Sequence, residues 1–287
     1  MSGKFFFIGS PKGFEPETVA FFNHADVDIA NDATVYFTAT AYEITGAELW
    51  TAVDQCCVDI KTALGLPLGT NNLSTKFLYY YPRIGGTALR HTVNFINPTL
   101  FQGTFYGGWT HDGSGALPNG TNGYFDTNCV GGVIGAGDNV DGQDHCFGIE
   151  LKTNSAGVMM EIFCADGARS QIFAYAKIAG NMVINDGSPG IAVNQSDAVA
   201  TSIGHMAVNR SSGASYKSVK NGVVLGTHAD ASANDFSEVN ILEGCYAASA
   251  QFSDRKRTAF HESLSMTNTE LLNVVTALQT LDTTLNR

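Results

Sequence analysis

The chain has 287 residues, 44% of them hydrophobic and only 15% charged, with 31 glycines and a formal net charge of −11, a composition that supports one large core or two smaller ones. Sixteen basic residues against 27 acidic ones leave no basic face for phosphate neutralisation, which argues against nucleic acid as a partner. No run reaches the ~18–20 apolar residues of a membrane-spanning helix, so membrane insertion by a helix is not expected.

The opening, MSGKFFFIGSPKGF, has an apolar run shorter than the roughly 7–15 residues of a signal-peptide core, so synthesis in a cytoplasm is expected. The six cysteines fit that compartment. Cys56 and Cys57 are adjacent, no C-x-x-C pair exists, and Cys129, Cys146, Cys164 and Cys245 sit among apolar or small residues. They read as reduced, buried small hydrophobes. A first helix can start near Pro16, carrying Val19, Phe21 and Phe22. Thr45 and Glu48 form a capping box, and Leu49, Val53, Cys57, Ile60 and Leu64 then recur at helical spacing until Gly65 and Pro67 stop the pattern. Residues 1–73 thus read as an N-terminal assembly segment with a helix over about 46–64.

From 74 to 266 the pattern changes to short strands. KFLYYY (76–81), RHTVNF (90–95), TFYGGW (104–109), HCFGIEL (145–151), VMMEIFCA (158–165), SQIFAYAKI (170–178), NMVIN (181–185), IGHMAVNR (203–210), SYKSVKNGVVLGT (215–227), VNILEGCYA (239–247) and AQFSDRKR (250–257) are aromatic, β-branched or apolar over strand lengths, with Gly/Asn/Asp turn signals between them. Asn221-Gly222 predicts a two-residue hairpin. More than ten strands without crossover helices imply antiparallel pairing in two packed sheets. The densest basic cluster, Arg255, Lys256 and Arg257, reads as a solvated strand end. The chain closes on a helix over 267–287, with a capping box at Thr267 and Glu270 and an apolar stripe of Leu271, Leu272, Val275, Leu278, Leu281 and Leu285. That stripe is expected to dock on its own domain.

The stretch FYGGWTHDGSGALPNGTNGYFDT, Phe105 to Thr127, is the most distinctive in the chain. It is not a phosphate cradle: no glycine is followed by Lys and a hydroxyl residue, and although Gly113 and Gly115 have the first spacing of a dinucleotide fingerprint, Pro118 takes the third position and no helix follows. Two readings stay open. Trp109, Tyr106 and Tyr124 could stack on sugar rings, with Asn119, Asn122 and Asp126 as polar partners. The same residues could instead bury Trp109 and cap turns. Asp138, Asp141 and Asp144 in GAGDNVDGQDH form an acidic loop that reads either as a calcium candidate or as a solvated turn. No other cofactor is indicated.

The run YYYPRIGGTALRHTVNFINP (79–98), then FYGGWT (105–110) and PNGTNGYFDT (118–127), resembles a pattern in bacteriophage virion proteins, tail or minor structural components with a concanavalin A-like (laminin G-like) jelly roll. The matching positions are Tyr81, Pro82, Gly85, Gly86, Thr87, His91, Asn94, Gly107, Gly108, Trp109, Thr110, Asn119, Gly120, Thr121, Tyr124 and Thr127. With the flanking helices the resemblance covers roughly residues 16–287, and it departs at the adjacent cysteines and in 128–145. It implies a mainly β, two-sheet antiparallel jelly-roll sandwich with a preceding helix and a C-terminal amphipathic helix. It also implies a non-enzymatic virion component (tail, fibre or capsid decoration) that assembles with other virion proteins and as a homo-oligomer. The alternative is a carbohydrate-binding module that adsorbs the particle to host surface glycan. Concanavalin A-like folds also include laminarinase-like glycosidases with an E-x-D-x-x-E strand. Glu238-Val-Asn240-Ile-Leu-Glu243 has that spacing with Asn in the middle, but the two outer carboxylates of a regular strand would lie ~16 Å apart on opposite faces, far from the ~5–5.5 Å that retaining chemistry needs.

Overall fold

The protein is described by a computed structural model covering residues 13–25, 46–130, 144–155, 157–165, 171–187, 195–231, 239–247 and 250–287. Helices α1 (Pro16–Ala25) and α2 (Gly46–Ala63) lead into β1 (Phe77–Tyr81) and a one-turn helix α3 (Ala88–His91). The strands continue as β2 (Thr104–Tyr106), β3 (Trp109–Asp112), β4 (Gly115–Pro118), β5 (Tyr124–Val130), β6 (His145–Leu151), β7 (Ile162–Cys164) and β8 (Gln171–Ile178). Then come β9 (Asn181–Gly187), β10 (Gln195–Ala198), β11 (Gly204–Ser212), β12 (Ser215–Lys220), β13 (Val223–His228), β14 (Asn240–Glu243) and β15 (Arg257–Ser263), and helix α4 (Asn268–Thr284) closes the chain.

The strands form two antiparallel sheets. One has eight strands in the order β13-β12-β11-β6-β15-β4-β3, with β1 also paired to β15; the other has seven, β10-β9-β8-β7-β14-β5-β2. Phe147, Ile149, Leu151, Met206, Val208 and Phe260 of the first sheet meet Phe125, Ile162, Cys164, Ile172, Ile184 and Ile241 of the second in the inter-sheet core. This is the expected mainly β jelly-roll sandwich with flanking helices.

The two sheets differ in what covers their outer faces. Helices α1, α2 and α4 lie over the eight-stranded sheet, where Phe22, Leu49, Val53, Ile60, Val274, Leu278 and Leu281 share a core with Phe77, Cys146, Ala207 and Ala259. β6 and β15 are therefore buried at every position, which is why HCFGIEL lacks a polar-out alternation. The space there is tight: a Cβ on Gly148 would lie 2.2 Å from His261 Nε2 and 2.6 Å from His205 Nε2. No described helix packs on the seven-stranded sheet's outer face.

An ionic clasp joins α1 to α2. Lys61 on α2 is fully buried and donates to Glu15 (2.5 Å) and Glu17 (2.7 Å) and to the Thr70 carbonyl (2.7 Å). Burial alone would lower the Lys61 pKa, but bonds to the two carboxylates hold it above its ordinary value. The Thr267/Glu270 capping box is formed as expected, and Asn221 and Gly222 take φ of 50° and 75°, the left-handed pair a primed hairpin turn requires. All six cysteines are buried and none is in a disulfide. No described helix is long and apolar enough to cross a membrane. The other half of the predicted α2 capping box, Thr45, lies outside the described residues.

Four strand expectations need correction. RHTVNF is not a strand: Thr87 caps α3, and Asn94 then plays a strand's part with its side chain, its Oδ1 accepting from the amides of Tyr80 (3.1 Å) and Ile96 (3.0 Å). TFYGGW is two strands, β2 and β3, that belong to different sheets. VMMEIFCA is a regular strand only over Ile162–Cys164. AQFSDRKR is irregular up to Lys256, and β15 starts at Arg257. The basic triplet is also no solvated strand end, because Arg255 and Arg257 are fully buried.

Candidate ligand-binding face

The Phe105–Thr127 stretch is the crossing between the sheets. Gly107 and Gly108 carry the chain from β2 to β3 against the turn that precedes β5. A Cβ on Gly107 would sit 2.0 Å from the Asn122 carbonyl oxygen, and one on Gly108 would sit 2.3 Å from Asn119 Nδ2. Gly107 also has φ +71°, so both space and backbone require glycine there. Asn119 Oδ1 accepts from the amides of Thr121, Asn122 and Gly123 at 3.0–3.1 Å. Asn122 Oδ1 accepts from the Gly108 amide (3.0 Å) and from Asn119 Nδ2 (2.8 Å). These two amides hold turns together. Trp109 is half-buried, its Nε1–H donating to the carbonyls of Tyr106 (3.0 Å) and Tyr124 (3.2 Å). Its ring contacts Phe105 at 4.7 Å and takes the Arg257 guanidinium at 5.4 Å.

The other aromatic candidates come together at the surface. Tyr106 and Tyr124 are direct cross-strand partners on β2 and β5, and their rings stack at 4.8 Å and 10°. Tyr106 remains 43% exposed. Tyr124 packs on a cluster of Met160, Phe163, Leu242 and Cys245, joined by Tyr175 and Phe252, and Tyr246, 40% exposed, meets Phe163 edge-on at 5.1 Å. Asp126 lies beside this patch, accepting from the Asn128 amide (2.8 Å) and from Asn240 Nδ2 (3.0 Å). A carboxylate offers about four acceptor sites, so two stay open to a ligand. The outer face of the seven-stranded sheet thus carries an aromatic strip whose centre, Leu242 and Phe163, is buried (8% and 7%), with Tyr106 and Tyr246 exposed at its margins. Tyr175, Phe163, Leu242, Tyr246 and Phe252 are its members that sequence reading missed. The signal was present in alternation: Ile162 and Cys164, Ala174 and Ala176, and Ile241 all point into the core, so their neighbours face outward, where polar side chains were due.

Beneath the strip runs a chain of buried charges. Glu243 pairs with Arg83 and, at 3.2 Å, with Arg257; Glu161 pairs with Arg255 and, at 3.3 Å, with Arg257; all five side chains are fully buried. Arg83 also lies over the Phe125 ring at 3.9 Å. Of the laminarinase-like pair, Glu243 is therefore locked into two ion pairs, and Glu238 lies outside the described residues.

Other titratable clusters are compact and internally bonded. Ser218, His228 and Asp197 meet at the sheet edge, but His228 Nε2 faces both Asp197 Oδ2 (2.9 Å) and Ser218 Oγ (3.2 Å). A nucleophilic relay needs the two partners on opposite ring nitrogens. His91 and His111 face each other at 3.0 Å, and burial with the nearby Arg83 charge pushes His111 down to about 4. Of the calcium candidates, Asp138 and Asp141 lie outside the described residues, and Asp144 accepts from the Ser265 amide at 2.8 Å. Among the described residues, no group of three or more His, Cys, Asp or Glu is placed to hold a metal ion.

This architecture is a two-sheet antiparallel jelly-roll sandwich with flanking helices. No protein-family model matches the chain, and no curated protein does. Among solved structures it is similar to the CBM40 of Ruminococcus gnavus IT-sialidase bound to α2,3-sialyllactose, at 16% identity over 46% of this chain and 83% of that one, TM-score 0.36. It is also similar to domain 4 of AbnA, a GH43 extracellular arabinanase from Geobacillus stearothermophilus, in complex with arabinotriose, at 13% identity over 70% and 98%, TM-score 0.47. Domains LG4-5 of the mouse laminin α1 chain match at 12% identity over 48% and 40%, TM-score 0.36. At these identities the likeness is one of fold.

Proposed function

We propose that this chain is a non-enzymatic, carbohydrate-binding jelly roll that a bacteriophage particle carries at its surface to adsorb to host glycan. The observation that carries the binding reading is the aromatic pair at the edge of the seven-stranded sheet, Tyr106 stacked on Tyr124 and exposed beside Asp126. Flat tyrosine rings present apolar area to the C–H faces of a sugar, and neighbouring acceptors take its hydroxyl protons. The three long helices pack on the opposite sheet.

The virion setting rests on the Tyr79–Thr127 motif run. Assembly with other particle proteins and as a homo-oligomer belongs to the same proposal. Density for the chain in a reconstruction of the intact particle tests that setting.

The binding reading is tested by a glycan array followed by calorimetry. Tyr106→Ala and Tyr124→Ala should each weaken a hit at least about tenfold, about 1.4 kcal/mol, with an unchanged circular dichroism spectrum. A wild-type protein that binds no glycan, or a hit indifferent to both substitutions, overturns it. Trp109→Ala should instead lower stability, because that indole packs on Phe105 and Arg257 and bridges two carbonyls.

A further inference from the structure

Lys152 directly follows β6, and its side chain reaches the last turn of α4. Its Nζ lies 2.8 Å from Asp282 Oδ2 and 3.7 Å from Oε1 of Glu150, two residues back on β6. The three side chains are 22%, 4% and 2% exposed in that order, so the amine enters a largely dry site. Asp282 is fixed at both oxygens: the Thr258 hydroxyl donates to Oδ2 (2.7 Å) and the Arg287 Nε–H to Oδ1 (2.7 Å). A second lysine near Glu150, Lys220, turns its Nζ to the carbonyls of Ser202 (2.9 Å) and Gly204 (3.3 Å), so it does not compete for Asp282.

An ion pair accounts for the Lys152–Asp282 contact but not for a second carboxyl buried beside it. Burial first, and then the Asp282 charge, push Glu150 up to about 7. A carboxyl that both holds and releases a proton near neutrality suits proton transfer between neighbours. An amine and a carboxyl held in contact and shielded from water also react at a high effective concentration. The amide they would form is neutral, whereas the ion pair keeps two charges poorly solvated.

We infer that Lys152 and Asp282 condense into an intramolecular amide, with Glu150 as the proton carrier, so that α4 is covalently tied to the eight-stranded sheet. Lys152 first passes one ammonium proton to Asp282 Oδ2. The neutral Nζ then attacks Cγ, and the oxyanion forms on Oδ1, beside the Arg287 Nε–H. Glu150 delivers its proton to the Oδ2 hydroxyl, which leaves as water, and recovers one from the nitrogen. One C–N bond forms and one C–O bond breaks. Two of the three ammonium protons depart with Oδ2, and nothing is oxidised or reduced. The link closes β7 to β15 and most of α4 into one long loop, which restricts the unfolded chain.

Mass spectrometry of the full chain under denaturing conditions, intact and after tryptic digestion, tests this. The wild-type chain should weigh one water, about 18 Da, less than its sequence. Its digest should hold a branched peptide joining Lys152 to Asp282 and show no cleavage after Lys152. Lys152→Arg keeps the charge, but its guanidinium does not give up a proton to become a nucleophile, so this variant should have the full mass. Freshly purified Glu150→Gln should have the full mass too. A wild-type chain of full mass, with a tryptic peptide ending at Lys152, would overturn the inference and leave an ion pair only. So would a missing water without the branched peptide, as from a succinimide elsewhere in the chain. The wild-type digest decides this whether or not either variant folds. A link formed as fully in Glu150→Gln as in the wild type would overturn the part given to Glu150.

Discussion

Glu262 lies between the sheets, its side chain fully buried and paired across strands with Tyr79, and burial pushes its carboxyl up to about 8. At neutral pH the folded protein must keep a proton on this group that the unfolded chain releases. The folding penalty therefore grows from the unfolded value near 4.5 up to about 8. Glu262→Gln, which removes the proton requirement at constant shape, should raise stability by about 3 kcal/mol at pH 7 and by nothing at pH 4. Urea midpoints at the two pH values check this. Glu243 should behave in the opposite way. Its removal as Glu243→Gln leaves Arg83 buried without a counter-charge and Arg257 with Glu161 alone, and should cost about 3–5 kcal/mol, read from the same titration. None of this was legible locally. The RKR triplet looks like a solvated cluster because its carboxylates stand 14 residues away for Arg257 and 94 for Arg255.

Elements with a self-contained signal were legible. The helices at Pro16 and at 46–63, the Asn221-Gly222 hairpin and the Thr267/Glu270 cap each depend on residues within a turn or two of one another. Thr267→Ala should cost α4 about 1 kcal/mol, seen as a small drop in thermal midpoint without loss of fold. RHTVNF and TFYGGW misled for a shared reason. Their apolar and β-branched residues fit strands, but Asn94 replaces a strand's hydrogen bonds with its own amide, and Gly107-Gly108 moves the chain from one sheet to the other. Gly107→Ala forces a Cβ to 2.0 Å from the Asn122 oxygen, whereas Gly180→Ala, also at positive φ, meets nothing within 4 Å. Gly180→Ala should therefore cost about 1 kcal/mol and Gly107→Ala at least about 2 kcal/mol more, compared by denaturant midpoint.

At the scale of the molecule, the buried titratable groups predict a stability maximum near pH 6.5. His91, His111, His205 and His261 are all depressed, chiefly by burial, with His111 at about 4 and His261 at about 3. Their contribution is complete above the unfolded histidine value and is lost as pH falls, because the unfolded chain then binds protons the folded one refuses. Glu150, raised to about 7 chiefly by burial with Asp282 adding to it, and Glu262 work in the other direction and weaken the fold as pH rises towards 8. Four histidines against two carboxyls leave a net slope of roughly 2–3 kcal/mol per pH unit between about 6.5 and 4.5. A flat profile of thermal midpoint from pH 4 to 8 would contradict this balance.

By itself the sequence determined the class of the molecule: two antiparallel layers, an amphipathic helix at the end and buried reduced thiols. These follow from periodicity, caps and turns, which act over a few residues. Only the tertiary structure decided which sheet the helices cover. It alone separated Trp109, Asn119 and Asn122, bound up in turns, from Tyr106, Tyr124 and Asp126 at the surface. Those assignments depend on strand order and register, which bring together residues far apart in the chain, and no local pattern encodes that pairing.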